Sequence, residues 1–145
     1  MLHLTITTVE RQLIDEPEAM QVTIPTTDGI ITVLPGHTPL MTTLAMGEVI
    51  VQRSGQENLV LFVNGGTAQI DQDRVELLAR MAERADELDE ARIEEAKRRA
   101  EKLLTEQPID VDLAQVEKAL QQELMKQKVV RKWKNVGQTP SETSV

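Results

Sequence analysis

The chain has 145 residues, 40% of them hydrophobic and 28% charged, and carries a formal net charge of −8. That size holds one domain or a small domain with an appendage, and that composition is neither disordered nor membrane-embedded. The acidic balance argues against nucleic acid as the main partner, and the lack of cysteine excludes disulfides and thiolate metal sites.

One Phe, one Trp and no Tyr leave any core to aliphatic side chains. The start, Met1 to Ile6, alternates with polar residues and lacks the basic and apolar regions of a signal peptide. No stretch approaches the ~20 apolar residues of a membrane span, so a soluble, cytoplasmic protein is expected.

Along the first 80 or so residues the side-chain period is two. Leu2, Leu4 and Ile6 alternate with His3, Thr5 and Thr7; Met20, Val22 and Ile24 alternate with Gln21 and Thr23. Val49 and Val51 continue the pattern less cleanly, Leu59 to Val63 is one apolar run, and Val75, Leu77 and Ala79 resume it. Such runs fit pleated, half-buried strands. Breakers recur between them: Glu16-Pro17, Asp28-Gly29, Pro35-Gly36, Met46-Gly47, Ser54-Gly55, Gly65-Gly66 and Asp71-Gln72-Asp73. Turns this close together predict an all-β antiparallel sandwich over 1–84. Gly65-Gly66 lacks the Lys-Ser/Thr of a phosphate loop and reads as a hairpin turn.

From Ala82 to Leu104 there is no Gly or Pro and hardly a β-branched residue, which is helix chemistry. Glu94 with Arg98, and Glu95 with Arg99, are favourably oriented i,i+4 pairs. Pro108 ends this helix, Asp110 or Asp112 caps the next, and Leu113, Val116, Leu120 and Leu124 form a stripe on it. The short connection makes the pair an antiparallel helical hairpin over 85–134. The same stripe suits a coiled-coil dimer, so a ligand-binding module with a dimerisation handle is the alternative reading. Residues 135–145 read as a disordered tail.

Charge is unevenly spread. Residues 1–84 hold 5 Lys and Arg against 11 Asp and Glu; residues 85–145 hold 11 against 13. Lys126, Lys128, Arg131, Lys132 and Lys134 form a basic tip without an acid among them, and Trp133 sits there with no evident core to join. On the first helix, steps of about 100° place Asp89, Arg92 and Arg99 in the stripe of Ala85, Leu88, Ala96, Ala100 and Leu103. Charges on a packing face are costly unless paired or contacted. They read either as a local Asp89–Arg92 pair with Arg99 reaching water, or as a ligand site. Two histidines without a matching carboxylate cluster offer no metal site, and no catalytic constellation is visible.

Two segments resemble the epsilon subunit of F-type ATP synthases. Ile24-Pro25, Asp28-Gly29 and Val33-Leu34-Pro35-Gly36-His37-Thr38-Pro39-Leu40 are similar to a run between early strands of that family's β-sandwich. Leu88-Asp89-Glu90-Ala91-Arg92, with Glu95 to Ala100 after it, is similar to the family's L-D-x-x-R-A motif and the basic, Ala-rich helix that follows. Ile93 departs from that motif's closing Ala, Asn64 from a frequent Ser, and Ile30 from a frequent acid.

The resemblance implies a non-catalytic subunit of the rotor's central stalk, coupling proton flow to ATP synthesis. It implies a sandwich that binds the gamma subunit and the c-subunit ring, with Ile30, Pro35, Gly36 and His37 in a ring-facing loop. It implies a hairpin that extends to inhibit ATP hydrolysis, with Lys126, Lys128, Arg131 and Lys132 meeting the alpha and beta catalytic subunits. By the same resemblance, Glu83, Asp89, Arg92 and Arg99 are the positions for a regulatory ATP, no cofactor being required. The implied location is the cytoplasmic face of the bacterial plasma membrane, held there only through the complex.

Overall fold

A computed structural model describes residues 1–137. Seven strands come first: β1 (Leu2–Thr7), β2 (Gln12–Thr26), β3 (Gly29–Val33), β4 (Leu40–Thr43), β5 (Gly47–Arg53), β6 (Leu59–Ile70) and β7 (Arg74–Arg84). Two helices follow, α1 (Glu90–Glu106) and α2 (Leu113–Lys132). The sandwich and hairpin expected from the sequence are both present. No described helix is long and apolar enough to cross a membrane.

The sheet runs β1-β7-β6-β5-β2-β3, and β1 also pairs with β2, so five strands close into a barrel-like sandwich. Every pairing is antiparallel except β1 with β7. Closure rests on two long strands. β2 pairs with β1 through its first half and with β5 and β3 through its second; β6 hands over from β5 to β4 midway. Pro17 has no ladder hydrogen bond to give, and it falls where the β1–β2 register slips, so it marks a bulge within β2 instead of a turn.

Inward positions fill one aliphatic cluster, including Leu2, Leu4, Ile6, Val22, Ile24, Val49, Val51, Leu61, Val63, Val75 and Leu77, all fully buried. Among the described residues none beyond Ala82 belongs to it. β3 and β4 were not legible as strands. They are short edge pieces whose outward residues, Ile30 and Met41, are apolar, which blurs the alternation.

Gly65-Gly66 is not a turn: both residues lie inside β6 with positive φ (+77° and +122°). They kink the strand where it leaves β5 for β4, and the Leu44 N–H donates to the Gly66 carbonyl there. A Cβ on Gly66 would sit 2.1 Å from the Leu78 carbonyl oxygen.

The helical chemistry from Ala82 onward yields to pairing at first. Ala82, Glu83 and Arg84 complete the ladder with Val63, Phe62 and Leu61, a 3-10 turn covers Ala85–Glu87, and α1 starts only at Glu90. Ladder hydrogen bonds to a central strand outweigh propensity differences of under about 1 kcal/mol per residue. Arg84 donates twice to Asp86 (3.1 and 2.9 Å), stiffening the joint. That hydrogen bond, with the charges of Asp86 and Glu87, raises the Arg84 pKa against the opposing effect of burial.

Asp112 is the cap of α2, accepting from the Ala114 N–H, and Gln107 ends α1 in the left-handed region ahead of Pro108. Leu113, Val116 and Leu120 are half-buried, whereas Leu124 is exposed. Of the expected tail, Asn135 to Gly137 belong to a π-turn (Trp133–Gly137) that prolongs α2, and 138–145 lie outside the described residues.

Gly66→Ala is expected to destabilise the barrel by about 3 kcal/mol, because the new methyl meets backbone in a conformation that L-residues avoid. Chemical denaturation of the full chain reads this; a loss under ~1 kcal/mol would mean the kink relaxes.

Candidate functional site

The outer face of the barrel carries the hairpin. Leu59 to Val63 is apolar throughout, which a strand covered on one face does not need; the run signals cover on both. Leu61 and Val63 point inward, while Val60 and Phe62 point outward into a second cluster with Ala85 and Val129. Met46, Leu88, Met125 and Trp133 pack around it. Trp133 therefore has a core after all. The only Phe and the only Trp of the chain both belong to the patch where hairpin and barrel join.

Charges frame this patch in one row across three strands. Glu48 of β5 lies opposite Phe62 of β6, and Phe62 lies opposite Glu83 of β7. Adjacent strands are about 4.8 Å apart, so the two carboxylates are based roughly 9.6 Å apart. On α2, Lys126 and Lys132 differ by about 9 Å of helical rise, close to that span. Lys126 Nζ is 3.2 Å from Glu83 and 3.8 Å from Glu123, and lies 5.5 Å from the centre of the Phe62 ring. Lys132 Nζ is 3.7 Å from Glu48. Asn64 donates to Gln122 (3.1 Å) beside this row. Two of the four residues expected to meet the catalytic subunits are thus engaged by the barrel, and Lys128 and Arg131 are exposed.

Beside the row opens a cleft of about 580 Å³ between the end of β7, α1 and α2. Glu83, Asp89, Arg92 and Arg99 all line it, so the structure brings together the four positions singled out for a nucleotide. Glu87, Leu88, Glu95, Glu123 and Lys126 complete its walls with Ile93 and Ala96. Sequence reasoning did not group Glu87, Glu123 and Lys126 with them: Glu123 and Lys126 come from α2, distant in sequence, and Glu87 lies in the short turn between β7 and α1.

The details differ from the helical-stripe expectation. Asp89 is the cap of α1, its Oδ1 accepting from the Ala91 and Arg92 N–H groups, and it makes no side-chain pair with Arg92. Arg99 is held by Glu95 at 2.9 Å, and Arg98 by Glu94 at 3.4 Å. The Arg92 guanidinium has no ion pair among the described residues. Ile93 and Ala100 carry the buried side of α1. The Ile93 departure from the family motif is therefore a packing residue that also reaches the cleft wall.

The four positions expected in one ring-facing loop do not form one. Ile30, 74% exposed, is the second residue of β3, whereas Pro35, Gly36 and His37 follow its other end. Pro35 and Gly36 make a tight turn closed by the His37 N–H to the Leu34 carbonyl (3.2 Å), with Gly36 at φ +82°. The Gly36 N–H donates to the Gln72 carbonyl (2.6 Å), binding this turn to the β6–β7 connection. Strand β3 alone separates Ile30 from it by about 13 Å or more. Among the described residues no group of three or more His, Cys, Asp or Glu is placed to hold a metal.

The family description "ATP synthase, Delta/Epsilon chain, beta-sandwich domain" matches residues 1–85. A relative in Chloroflexus aggregans named "ATP synthase epsilon chain" is 38% identical over 130 residues, which cover 90% of this chain and 92% of the relative. The chain belongs to the ATP synthase epsilon-chain family. Another member, from Dehalococcoides mccartyi strain CBDB1 and of the same name, is 40% identical over 132 residues, 90% of this chain and 93% of its own. A chain of the Euglena gracilis mitochondrial ATP synthase, solved with OSCP, F1 and c-ring, shares the fold with a TM-score of 0.67 at 21% identity. It covers 92% of this chain and 79% of that one. The β-sandwich of the family description ends one residue after β7 does, at the joint that Arg84 and Asp86 stiffen.

Phe62→Ala should loosen the hairpin by about 3 kcal/mol, through lost burial and the lost Lys126–ring contact, while sparing the interior cluster. Trp133 emission should shift to the red with barrel unfolding unchanged. A barrel that unfolds as easily as its hairpin comes loose would contradict the separation of the two clusters.

Proposed function

We propose that this chain is a regulatory, non-catalytic component of the ATP synthase central stalk, whose hairpin leaves the barrel to restrain ATP hydrolysis. One observation carries the reading. The described residues of the hairpin add nothing to the interior cluster and are fastened by a small outer patch rimmed with charge pairs. Such a contact separates without opening the barrel, and isolated helices of 17 and 20 residues are near the limit of stability in water.

In this reading the barrel binds the gamma subunit and the c-ring and turns with them, which links proton flow to ATP synthesis. Ile30 and the Pro35–His37 turn offer two separate contacts on that surface. The released hairpin carries Lys126, Lys128, Arg131 and Lys132 to acidic segments of the alpha and beta subunits. Membrane association, at the cytoplasmic face of a bacterial plasma membrane, comes through the complex alone.

A regulatory ATP fits the cleft. Arg92 and Arg99, two turns apart on α1, suit a polyphosphate, with Asp89 at the start of the same helix and Glu83 across from it on β7. Arg99 has to leave Glu95 for such a ligand, and five carboxylates line the walls, so the affinity is expected to be modest. A ligand spanning β7 and α1 favours the hairpin against the barrel; at 100 times its dissociation constant the shift is about 2.7 kcal/mol.

Removing residues 109–145 is expected to raise the ATPase rate of the assembled complex several-fold and leave assembly intact. Rates equal to those of the full-length complex would exclude the inhibitory role. Calorimetric titration of the full chain with ATP should give saturable heat that Arg92→Ala and Arg99→Ala each weaken about tenfold or more. An absence of heat at millimolar ATP would exclude the nucleotide role and leave the hairpin's role standing.

A further inference from the structure

The two ends of the Glu48–Phe62–Glu83 row are built differently. At the Glu83 end the ion pair is 3.2 Å long, the carboxylate keeps 43% of its side-chain exposure, and the cation also faces the Phe62 ring. At the Glu48 end the pair is 3.7 Å long and the glutamate side chain is only 17% exposed. Its Oε2 is fully buried and has no hydrogen-bond partner among the described residues. The outer face of β5 on which it stands is covered by α2 and by the cluster around Phe62 and Val129.

From this asymmetry we infer that Glu48 is a built-in counterweight, a carboxylate placed under the hairpin to keep it from seating too firmly. The inference rests on the docked-and-released reading above. A carboxylate oxygen stripped of water and left unpaired opposes the docked state more than a 3.7 Å pair with a 39% exposed ammonium favours it. When the hairpin leaves, Glu48 regains water on an outward strand position and that opposition disappears. Lys132 has the opposite sign: it partly compensates a charge that docking would otherwise leave bare. The neighbours Met46 and Ile50 show that apolar residues suit this part of the face. The charge at 48 thus tunes the balance and is not needed to build the barrel.

The two members of this one ion pair therefore act in opposite directions, which an ordinary stabilising salt bridge never does. The test is amide hydrogen exchange over α2 in the isolated full chain, with Trp133 emission as a second readout. Glu48→Gln is expected to raise the protection of α2 about tenfold. Lys132→Met is expected to lower it, and the double variant Glu48→Gln/Lys132→Met should recover at least the parent level. Arg131→Met, at an exposed neighbouring position, controls for a simple helix-end charge effect and should move protection far less than Lys132→Met. Protection of the β6 and β7 amides should stay constant throughout. A fall in α2 protection on Glu48→Gln would make the pair a plain stabiliser and overturn the inference, as would unchanged protection in every variant. ATPase measurements do not enter, so failure of the inhibitory role and failure of this inference are separately visible.

Discussion

The hold of the barrel on the hairpin centres on Phe62 and the two glutamates beside it. An aromatic ring on the outward side of a central strand would be a liability if bare. Here it anchors α2, while Glu48 and Glu83 fix where two lysines must land. The ring joins Val60, Ala85 and Val129 in the apolar contact, and the carboxylates supply register. Neither is large beside the interior cluster, where strand after strand buries an aliphatic side chain completely. A strong core and a weak seam in one chain follow from which face of β6 a residue occupies.

The cleft inherits its character from that seam. Glu83 is both a wall of the cleft and the acceptor for Lys126, so its carboxylate belongs to two structures at once. Whatever rearranges Lys126 and Glu83 alters the hold on α2, and whatever lifts α2 removes one wall of the cleft. Coupling of this sort needs no long pathway. The two events share side chains, and the shared residues lie at the end of β7 where the barrel passes into the helices.

Much of this was readable from residues alone, for physical reasons. Strands that face core on one side and solvent on the other betray themselves by alternation, as Leu2, Leu4 and Ile6 do. An aspartate cap for α2, at 110 or 112, and the Glu95–Arg99 pair are local and were equally open to view. What stayed hidden depends on contacts between distant segments. Gly65 and Gly66 look like a turn because only the handover from β5 to β4 explains a kink there. Trp133 looks orphaned until β6 supplies Val60 and Phe62. The arginines of α1 and Glu83 of β7 were identifiable by resemblance, yet Glu123 and Lys126 come from α2 and leave no trace in linear spacing.

Among the described residues the interior cluster draws its members from those up to Ala82. During synthesis, then, the chain needs about its first 84 residues outside the ribosome before β7 can slot in beside β1 and close the barrel. The hairpin follows as an afterthought of translation, arriving at a finished surface and not at a folding intermediate. A nascent chain halted shortly beyond that point should already hold a complete barrel, with Phe62 waiting uncovered for the segment still being made.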